Sequence, residues 1–156
     1  MFKSKEVIDI AIRIEKNGEA IYRQAITQVA NGALKEALQW MADEEAKHMA
    51  WFTDLKSTVQ TSSGVVADEL SSDMLASLIG DQSFSLKDVD FSEIRDVSKL
   101  VNIFIEFEKD SILFYKLLIP FITHSETLDH LQQIIAEEER HVAELECFAE
   151  TAGAVR

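Results

Sequence analysis

The fold is decided by residues 34–59, whose sequence is LKEALQWMADEEAKHMAWFTDLKSTV. Spacings of four and three residues place a mostly apolar set of side chains on one helical face, which should point toward a core. Glu45 and His48, at positions i and i+3, lie in the middle of this seam. The helix therefore directs two adjacent polar groups inward. The complete seam is Leu34, Leu38, Met41, Glu45, His48, Phe52, Leu55 and Val59.

The same polar pattern recurs in the second half of the chain. An offset of 93 residues aligns the two halves without a gap and pairs the Glu-x-x-His motif at 45–48 with one at 138–141. Matched Glu, His and Tyr residues are informative, because core helices share Leu and Ile by default. The repeat indicates a duplicated helical hairpin centred on a polar site. The matched pairs include Glu15 and Glu108, Lys16 and Lys109, Tyr22 and Tyr115, Leu38 and Leu131, Gln39 and Gln132, and Glu44 and Glu137.

Four long helical patterns without internal proline account for most of the sequence. They are separated by Asn31-Gly32 and by a break at Pro120, after which Thr123 and Glu126 have the spacing of a capping box. Two tight helical hairpins follow from these short breaks. The predicted helices cover residues 4–30, 32–59, about 94–119 and 125–150.

Residues 61–92 are rich in Ser, Asp and Gly, which predicts a long crossover between the hairpins, with one short helix around residues 73–79. At 156 residues the chain is long enough to bury a core without disulfides. The sequence thus predicts an all-α four-helix bundle in a single domain, residues 1–156, with hairpins at 4–60 and 93–150.

Each of the other two helices has one glutamate in its seam, Glu15 in the first and Glu108 in the third. In an antiparallel hairpin, two residues are level when they are equidistant from the turn. The midpoint of positions 15 and 45 falls at the first turn, and that of positions 108 and 138 falls at the second. Both pairs therefore lie roughly 22 Å from their turns, at about 1.5 Å per residue. The candidate residues should converge at one height in the bundle.

Four carboxylates in an apolar core repel one another and lose hydration, which costs several kcal/mol per ion unless protons or cations neutralise them. Two divalent metal ions balance four carboxylates and two neutral imidazoles without residual charge. Oxygen-rich ligation with one imidazole per metal favours iron or manganese over a structural zinc site. We therefore predict a two-metal site, with two Fe ions as first choice and Mn as the alternative. The predicted ligands are Glu15, Glu45, His48, Glu108, Glu138 and His141.

The composition limits the classes of binding partner and the cellular compartment that we expect. The formal net charge of -13 argues against nucleic acid or an anionic membrane surface as a partner, since both attract basic proteins. The most apolar stretch, from Leu100 to Ile122, is interrupted by charged residues and is a poor membrane span. Cys147 is the only cysteine, and no apolar signal segment follows Met1, so we expect a cytoplasmic protein without disulfides.

Together these motifs resemble the rubrerythrin-like proteins of the ferritin-like di-iron carboxylate superfamily, in which two helices each supply one Glu and two helices each supply Glu-x-x-His. The resemblance covers nearly the whole chain and implies a ferritin-like bundle. It implies that Glu45 and Glu138 bridge the metals, that the other two glutamates are terminal ligands and that each histidine binds one metal. Tyr22 and Tyr115, one heptad after the terminal glutamates, would hydrogen-bond ligand carboxylates.

Two differences from typical rubrerythrins affect the expected chemistry. Those proteins carry a rubredoxin-like domain with an iron held by four cysteines, whereas this sequence has Cys147 alone, so electrons should come from a separate donor protein. They also carry an extra glutamate about one turn after the third-helix ligand, linked to metal movement during peroxide reduction. Here that region has Ser111 and Ile112. The resemblance therefore implies metal binding more directly than peroxidase activity.

The leading functional prediction is a non-haem di-iron oxidoreductase that reduces hydrogen peroxide or dioxygen with electrons from an external donor. The alternatives are an iron-binding or ferroxidase protein for iron handling and, from another class, a metal-free helical interaction module. No fifth helix follows the fourth, so a storage cage is not expected. Ile103, Ile105 and Phe107 make the third helix apolar beyond its seam, which predicts a homodimer.

Single polar residues in a seam have simpler explanations than metal binding. One core glutamate or one core histidine is more often structural than a ligand, so the prediction rests on six such residues at one level. Glu44 and Glu137 repeat but lie off the seam, as solvated residues or residues that support a ligand would. Gly18 and Ser111, small seam residues beside the ligands, either leave room for an oxygen species or relieve crowding.

Overall fold

The computed structural model describes residues 2–61, 69–70 and 96–154. Within these residues the chain forms four long α-helices, one turn of 3-10 helix and one pair of two-residue strands. The predicted four-helix architecture is confirmed. The elements are β1 (Phe2–Lys3), α1 (Ser4–Ile26), α2 (Gly32–Thr61), β2 (Glu69–Leu70), α3 (Val97–Leu118), the 3-10 turn Ile119–Phe121 and α4 (Ser125–Ala154).

The helices pair as two hairpins, with α1 along α2 and α3 along α4. Asn31 caps α2, because its side-chain oxygen accepts a 3.1 Å hydrogen bond from the Leu34 N–H. Asp96 caps α3 in the same way, with a 2.9 Å bond from the Ser98 N–H. These caps provide acceptors for N–H groups that the first turn of a helix leaves without partners.

Several helix ends differ from the sequence prediction. α2 ends at Thr61 rather than at residue 59, and α4 ends at Ala154 rather than at residue 150. α1 ends at Ile26 rather than at residue 30, because the chain tightens and the Thr27 N–H bonds to a carbonyl three residues back, at 3.1 Å. Val29 turns back into the core, so it continues the apolar spacing after the helix has ended. α3 begins at Val97 rather than at residue 94, because its cap immediately precedes that position.

The predicted crossover at 61–92 lies largely outside the described residues, as does the short helix predicted around 73–79. Its described part includes β2, which pairs antiparallel with β1, so that Phe2 lies opposite Leu70. A ladder of two residues is too short to produce a periodic signal, and the sequence did not predict it.

The apolar seams of the four helices meet in one core that is rich in aromatic side chains. Fully burying such a side chain contributes about 1.5–3 kcal/mol relative to leaving it exposed. The packed rings also exclude water from the polar groups at the centre of the bundle. The largest buried aromatic residues are Tyr22, Phe52, Phe104, Phe107, Phe114 and Tyr115.

Most of the apolar side chains of α3 are buried against other described residues. Ile105 and Phe107, which suggested a partner surface, are buried, and Ile103 is half-buried. Leu113, with 51% exposure, is the exposed large apolar side chain of the described residues. The homodimer stays a prediction. No described helix is both long enough and apolar enough to cross a membrane.

Candidate metal centre

The six predicted ligands converge in the core, and all four helices contribute to them. Their residue exposures are between 0% and 4%. In the described chain they form two overlapping groups, and the candidate ligand atoms of each group lie within 4.8 Å of one another. The Glu15 group consists of Glu15, Glu45, His48 and Glu138, and the Glu108 group consists of Glu45, Glu108, Glu138 and His141.

Glu45 and Glu138 belong to both groups. The two oxygens of Glu138 face different histidines. Oε1 lies 2.9 Å from His48 Nδ1, and Oε2 lies 2.9 Å from His141 Nδ1. Glu45 reaches across to the other hairpin, with Oε1 3.2 Å from His141 Nδ1. Carboxylates placed between two sets of ligands suit the bridging role predicted for them.

Both histidines present the same ring nitrogen to the carboxylates. His48 Nδ1 lies 3.5 Å from Glu15 Oε2, in addition to its contact with the shared carboxylate. His141 Nδ1 lies 3.4 Å from Glu108 Oε1. The centroids of the two imidazole rings are 6.5 Å apart, and the angle between the ring planes is 26°. Nδ1 is therefore the candidate ligand atom on both sides of the centre.

Several buried polar atoms of the centre have no hydrogen-bond partner among the described residues. Such an atom costs about 1–3 kcal/mol, and more when it is charged. Cations that accept electron pairs from these atoms remove the cost, so the residues fit a metal centre. Carboxylates with one imidazole in each group are a donor set that suits Fe or Mn. The unpartnered atoms are Glu15 Oε2, Glu45 Oε1, Glu108 Oε2, Glu138 Oε2 and His141 Nδ1.

Burial and mutual repulsion perturb the ionisation of the metal-free cluster. Burial raises the pKa of Glu45 well above its ordinary value, and the charge of Glu138 adds to this. The same two causes raise the pKa of Glu108 to about 8. Burial disfavours the charged form of His48, but the carboxylates of Glu138 and Glu15 outweigh it and raise the pKa of His48 to about 11. The metal-free cluster therefore retains protons at neutral pH, and metal ions would displace them.

Two buried tyrosines connect the hairpins. The Tyr22 hydroxyl on α1 donates to Glu108 Oε1 on α3. The Tyr115 hydroxyl on α3 donates to Glu15 Oε1 on α1. Burial raises the pKa of both tyrosines, and the adjacent carboxylates raise it further, so both hydroxyls remain protonated donors. The predicted hydrogen bonds to candidate ligand carboxylates are present, and each one crosses to the opposite hairpin.

Glu44 and Glu137, for which the sequence left two explanations open, both contact a histidine. Glu44 Oε2 lies 2.8 Å from His141 Nε2. Glu137 Oε2 lies 2.6 Å from His48 Nε2. The repeat marks both glutamates in the sequence, but only the packing of one hairpin on the other identifies their partners.

Gly18 and Ser111 occupy equivalent positions in the repeat and differ in their effect. A Cβ atom at Gly18 would lie 3.0 Å from Glu45 Oε2 and 3.1 Å from Phe107 Cε1, so the glycine makes room for both side chains. Ser111 donates a 3.0 Å hydrogen bond to the Phe107 carbonyl within its own helix. Of the two explanations offered by the sequence, relief of crowding fits Gly18.

Comparison with known proteins adds independent observations. The sequence model of the family described as Rubrerythrin matches residues 6–148. A proposed ferritin-like diiron-carboxylate protein from Thermotoga maritima has 22% identity and a TM-score of 0.69, over 96% of this chain and 95% of that chain. A hypothetical protein from Pyrococcus furiosus has 21% identity and a TM-score of 0.74, over 99% of this chain and 93% of that chain. No curated protein matches the sequence significantly.

At these identities the two structural relatives show the fold alone. The family match is more specific, because it extends from α1 through most of α4 and includes every residue of the Glu15 group and the Glu108 group. The chain belongs to the rubrerythrin family.

Proposed function

We propose that the protein is a non-haem di-iron oxidoreductase that reduces hydrogen peroxide or dioxygen with electrons from a separate donor protein. The observation that carries the proposal is the pair of overlapping groups that share Glu45 and Glu138. Each group offers three carboxylates and one imidazole to one ion. Family membership supports a two-metal centre, while iron as the metal, the oxidant and the electron source are the proposed part.

Each ion has its own ligands and two shared ones in this proposal. Glu15 and His48 would hold one ion, Glu108 and His141 would hold the other, and the two shared carboxylates would serve both. When bound, two ferrous ions would supply the two electrons that, together with two protons, convert one hydrogen peroxide to two waters. The four carboxylates would balance the charge of the two ions, so that the loaded centre could remain buried.

The protein's own residues hold the protons and exclude water. Tyr22 and Tyr115 remain protonated and fix the two unshared carboxylates through their hydroxyls. Phe104 packs edge-on against Tyr22 with ring centroids 5.0 Å apart, and Phe52 packs against Tyr115 at 5.4 Å. Because these rings close the core around the carboxylates, a small oxidant is favoured over a bulky organic substrate.

The proposal is tested by loading the protein with Fe(II) under anaerobic conditions and following its oxidation by stopped flow. We expect two irons per chain and faster oxidation by hydrogen peroxide than by dioxygen. A single turnover should then stop until an external donor is added, because Cys147 cannot form a four-cysteine iron centre within this sequence. Failure to bind two irons per chain would refute the proposal.

Iron oxidation for iron handling is the second candidate function. The observation that favours it is the absence of a carboxylate one turn after Glu108. Ser111 is hydrogen-bonded within its own helix there, and Ile112 is buried. Faster oxidation by dioxygen than by peroxide would support this candidate. In contrast, we expect Ser111→Glu to raise the ratio of the peroxide rate to the dioxygen rate, by restoring a carboxylate near the centre.

A metal-free interaction module is the third candidate, and the centre does not favour it. An apolar core with no cation gains nothing from four buried carboxylates, because repulsion and lost hydration both oppose their burial. The separate electron donor and the homodimer remain parts of the proposal. Size measurement in solution and cross-linking to a candidate redox protein would test them.

A further inference from the structure

Each histidine of the centre uses both of its ring nitrogens. The Nδ1 atoms face the carboxylates of the two groups. On the other side of the ring, His48 Nε2 lies 2.6 Å from Glu137 Oε2. His141 Nε2 lies 2.8 Å from Glu44 Oε2. In both cases the carboxylate comes from the hairpin that does not contain the histidine.

The partner of one imidazole nitrogen determines what the other nitrogen can do. A neutral imidazole has one N–H, and when Nε2 donates it to a carboxylate, the electron pair is left on Nδ1. A carboxylate acceptor also fixes the plane of the ring and strengthens the opposite nitrogen as a metal ligand. When a metal has displaced the second proton, the contacts of Nε2 would therefore leave the free electron pair of each ring directed toward the centre.

The remaining oxygen of each carboxylate is also engaged. Arg140 Nη2 lies 4.0 Å from Glu44 Oε1. Gln133 Nε2 donates a 3.5 Å hydrogen bond to Glu137 Oε1. The side chains of Glu44 and Glu137 are only 13% and 21% exposed. Both carboxylates are thus held against the histidines and do not extend into solvent.

We propose that Glu44 and Glu137 are positioning residues, each of which selects the Nε2-protonated form of a histidine on the opposite hairpin and turns its Nδ1 toward a metal. The inference rests on the proposed function, because it requires that both groups bind metal ions. Glu44 serves the Glu108 group through His141, and Glu137 serves the Glu15 group through His48. Each hairpin therefore completes the metal site whose histidine belongs to the other.

An ordinary surface ion pair does not account for this arrangement. Lys116 and Glu139 form such a pair at 3.0 Å between α3 and α4, with both side chains 52% exposed. Pairs of that kind contribute little to stability and orient no other group. Glu44 and Glu137 are instead related by the 93-residue repeat, and both address the nitrogen that faces away from the carboxylates.

The test uses Zn²⁺ as the probe, because it is diamagnetic and permits NMR of the loaded protein. The variants are Glu44→Ala, Glu44→Gln, Glu137→Ala and Glu137→Gln. Glu36→Gln on α2 and Glu144→Gln on α4 are matched controls. Both residues are exposed, and each substitution removes one negative charge, as Glu44→Gln and Glu137→Gln do. Chelator competition gives the affinity for each ion, and nitrogen-15 shifts of the histidine rings show which nitrogen carries the proton. The melting temperature of each metal-free variant is recorded as well.

We expect both histidines of the loaded unmodified protein to be protonated at Nε2 and ligated through Nδ1. Each alanine variant should lower the affinity for one of the two ions by about 10–100-fold. Glu44→Ala should change the ring signals of His141, and Glu137→Ala those of His48. The glutamine variants should recover part of the loss, because an amide oxygen still accepts the hydrogen bond. The two control variants should bind like the unmodified protein.

Three results would overturn the positioning role and leave two-metal binding intact. They are alanine variants that bind both ions like the controls, histidines protonated at Nδ1 in the loaded protein, and affinity losses explained by a lower melting temperature without any change in the ring signals. If the unmodified protein binds neither Zn²⁺ nor Fe²⁺, the proposed function fails, and the positioning role fails with it.

Discussion

The hairpin of α1 and α2 and the hairpin of α3 and α4 carry the same polar residues in the same register, yet they surround them differently. Phe104 packs edge-on against Tyr22, at an interplanar angle of 84°. Phe52 packs against Tyr115 at an angle of 31°. Neither phenylalanine is repeated at the equivalent position of the other hairpin.

The surroundings of the two histidines differ as well. The ring of Trp40 meets the His141 ring edge-on, with centroids 5.1 Å apart. The residue equivalent to Trp40 in the second hairpin is Gln133, which hydrogen-bonds to Glu137. Most of the repeated polar residues act on the centre through charge or hydrogen bonds, because two cations would require a symmetric set of ligands. The aromatic residues packed around the centre differ between the hairpins, because many combinations of side chains fill the same volume.

Removing a shared carboxylate should have the largest effect on the centre and should affect both groups alike. Glu45→Ala and Glu138→Ala should each abolish binding of both metal ions, because both residues belong to both groups. His48→Ala should mainly weaken metal binding by the Glu15 group. Metal analysis after anaerobic loading measures the stoichiometry, with Glu36→Gln as an exposed control. Equal loss in all three variants would contradict the bridging assignment.

Removing the metals should destabilise both hairpins together. Ions that bind only the folded state stabilise it by about 4 kcal/mol at a thousandfold excess over Kd. For a domain of this size, that corresponds to a rise in Tm of roughly 10 °C. Calorimetry of metal-free and reloaded protein measures the difference, and Mg²⁺ addition serves as a control for ionic effects. Equal melting temperatures would show that the centre is not coupled to folding.

The metal-free protein should become less stable as the pH rises from about 6.5 to 8. In this window the folded protein retains protons on His48, whose pKa is raised to about 11, and on Glu108, whose pKa is raised to about 8. The unfolded chain releases both protons near their ordinary pKa values, 6.5 and 4.5. Because the folded state binds more protons, the free energy of unfolding falls by up to about 1.4 kcal/mol per pH unit for each retained proton.

Urea unfolding in the presence of a chelator, at a series of pH values, measures this slope. Glu108→Gln should flatten it, since that variant removes one of the retained protons. The metal affinity should change in the opposite direction and rise with pH, because only deprotonated ligands bind metal. A metal-free protein whose stability is constant or rises across this window would contradict the raised pKa values.

The candidate ligands were predictable because two sequence signals coincide on them. Glu45 and His48 interrupt an apolar seam, and the 93-residue repeat places the same interruption in the second hairpin. The partners of Tyr22 and Glu44 were not predictable in this way. Tyr22 lies 86 residues from its acceptor, and spacing within a helix holds no information about the packing of two hairpins.

Apolar spacing also misplaced some residues, for physical reasons that the structure explains. Val29 extended the predicted α1, because a buried residue in a turn satisfies the same spacing as a buried residue in a helix. Phe107 was expected on an outer face of α3 but is buried beside Gly18. The missing side chain of the glycine provides that space, and it is invisible to a pattern that considers one helix at a time.

The smallest expected effect, and the sharpest comparison of the hairpins, comes from removing one hydroxyl group from each. Tyr22→Phe should lower the affinity of the Glu108 group for its ion, although Tyr22 itself belongs to the first hairpin. Tyr115→Phe should weaken the ion of the Glu15 group by a similar amount. One net hydrogen bond contributes about 1 kcal/mol, so each affinity should fall roughly fivefold. Chelator competition with Zn²⁺ resolves the two ions. Losses at the same ion in both variants would show that the tyrosines do not act across the hairpins.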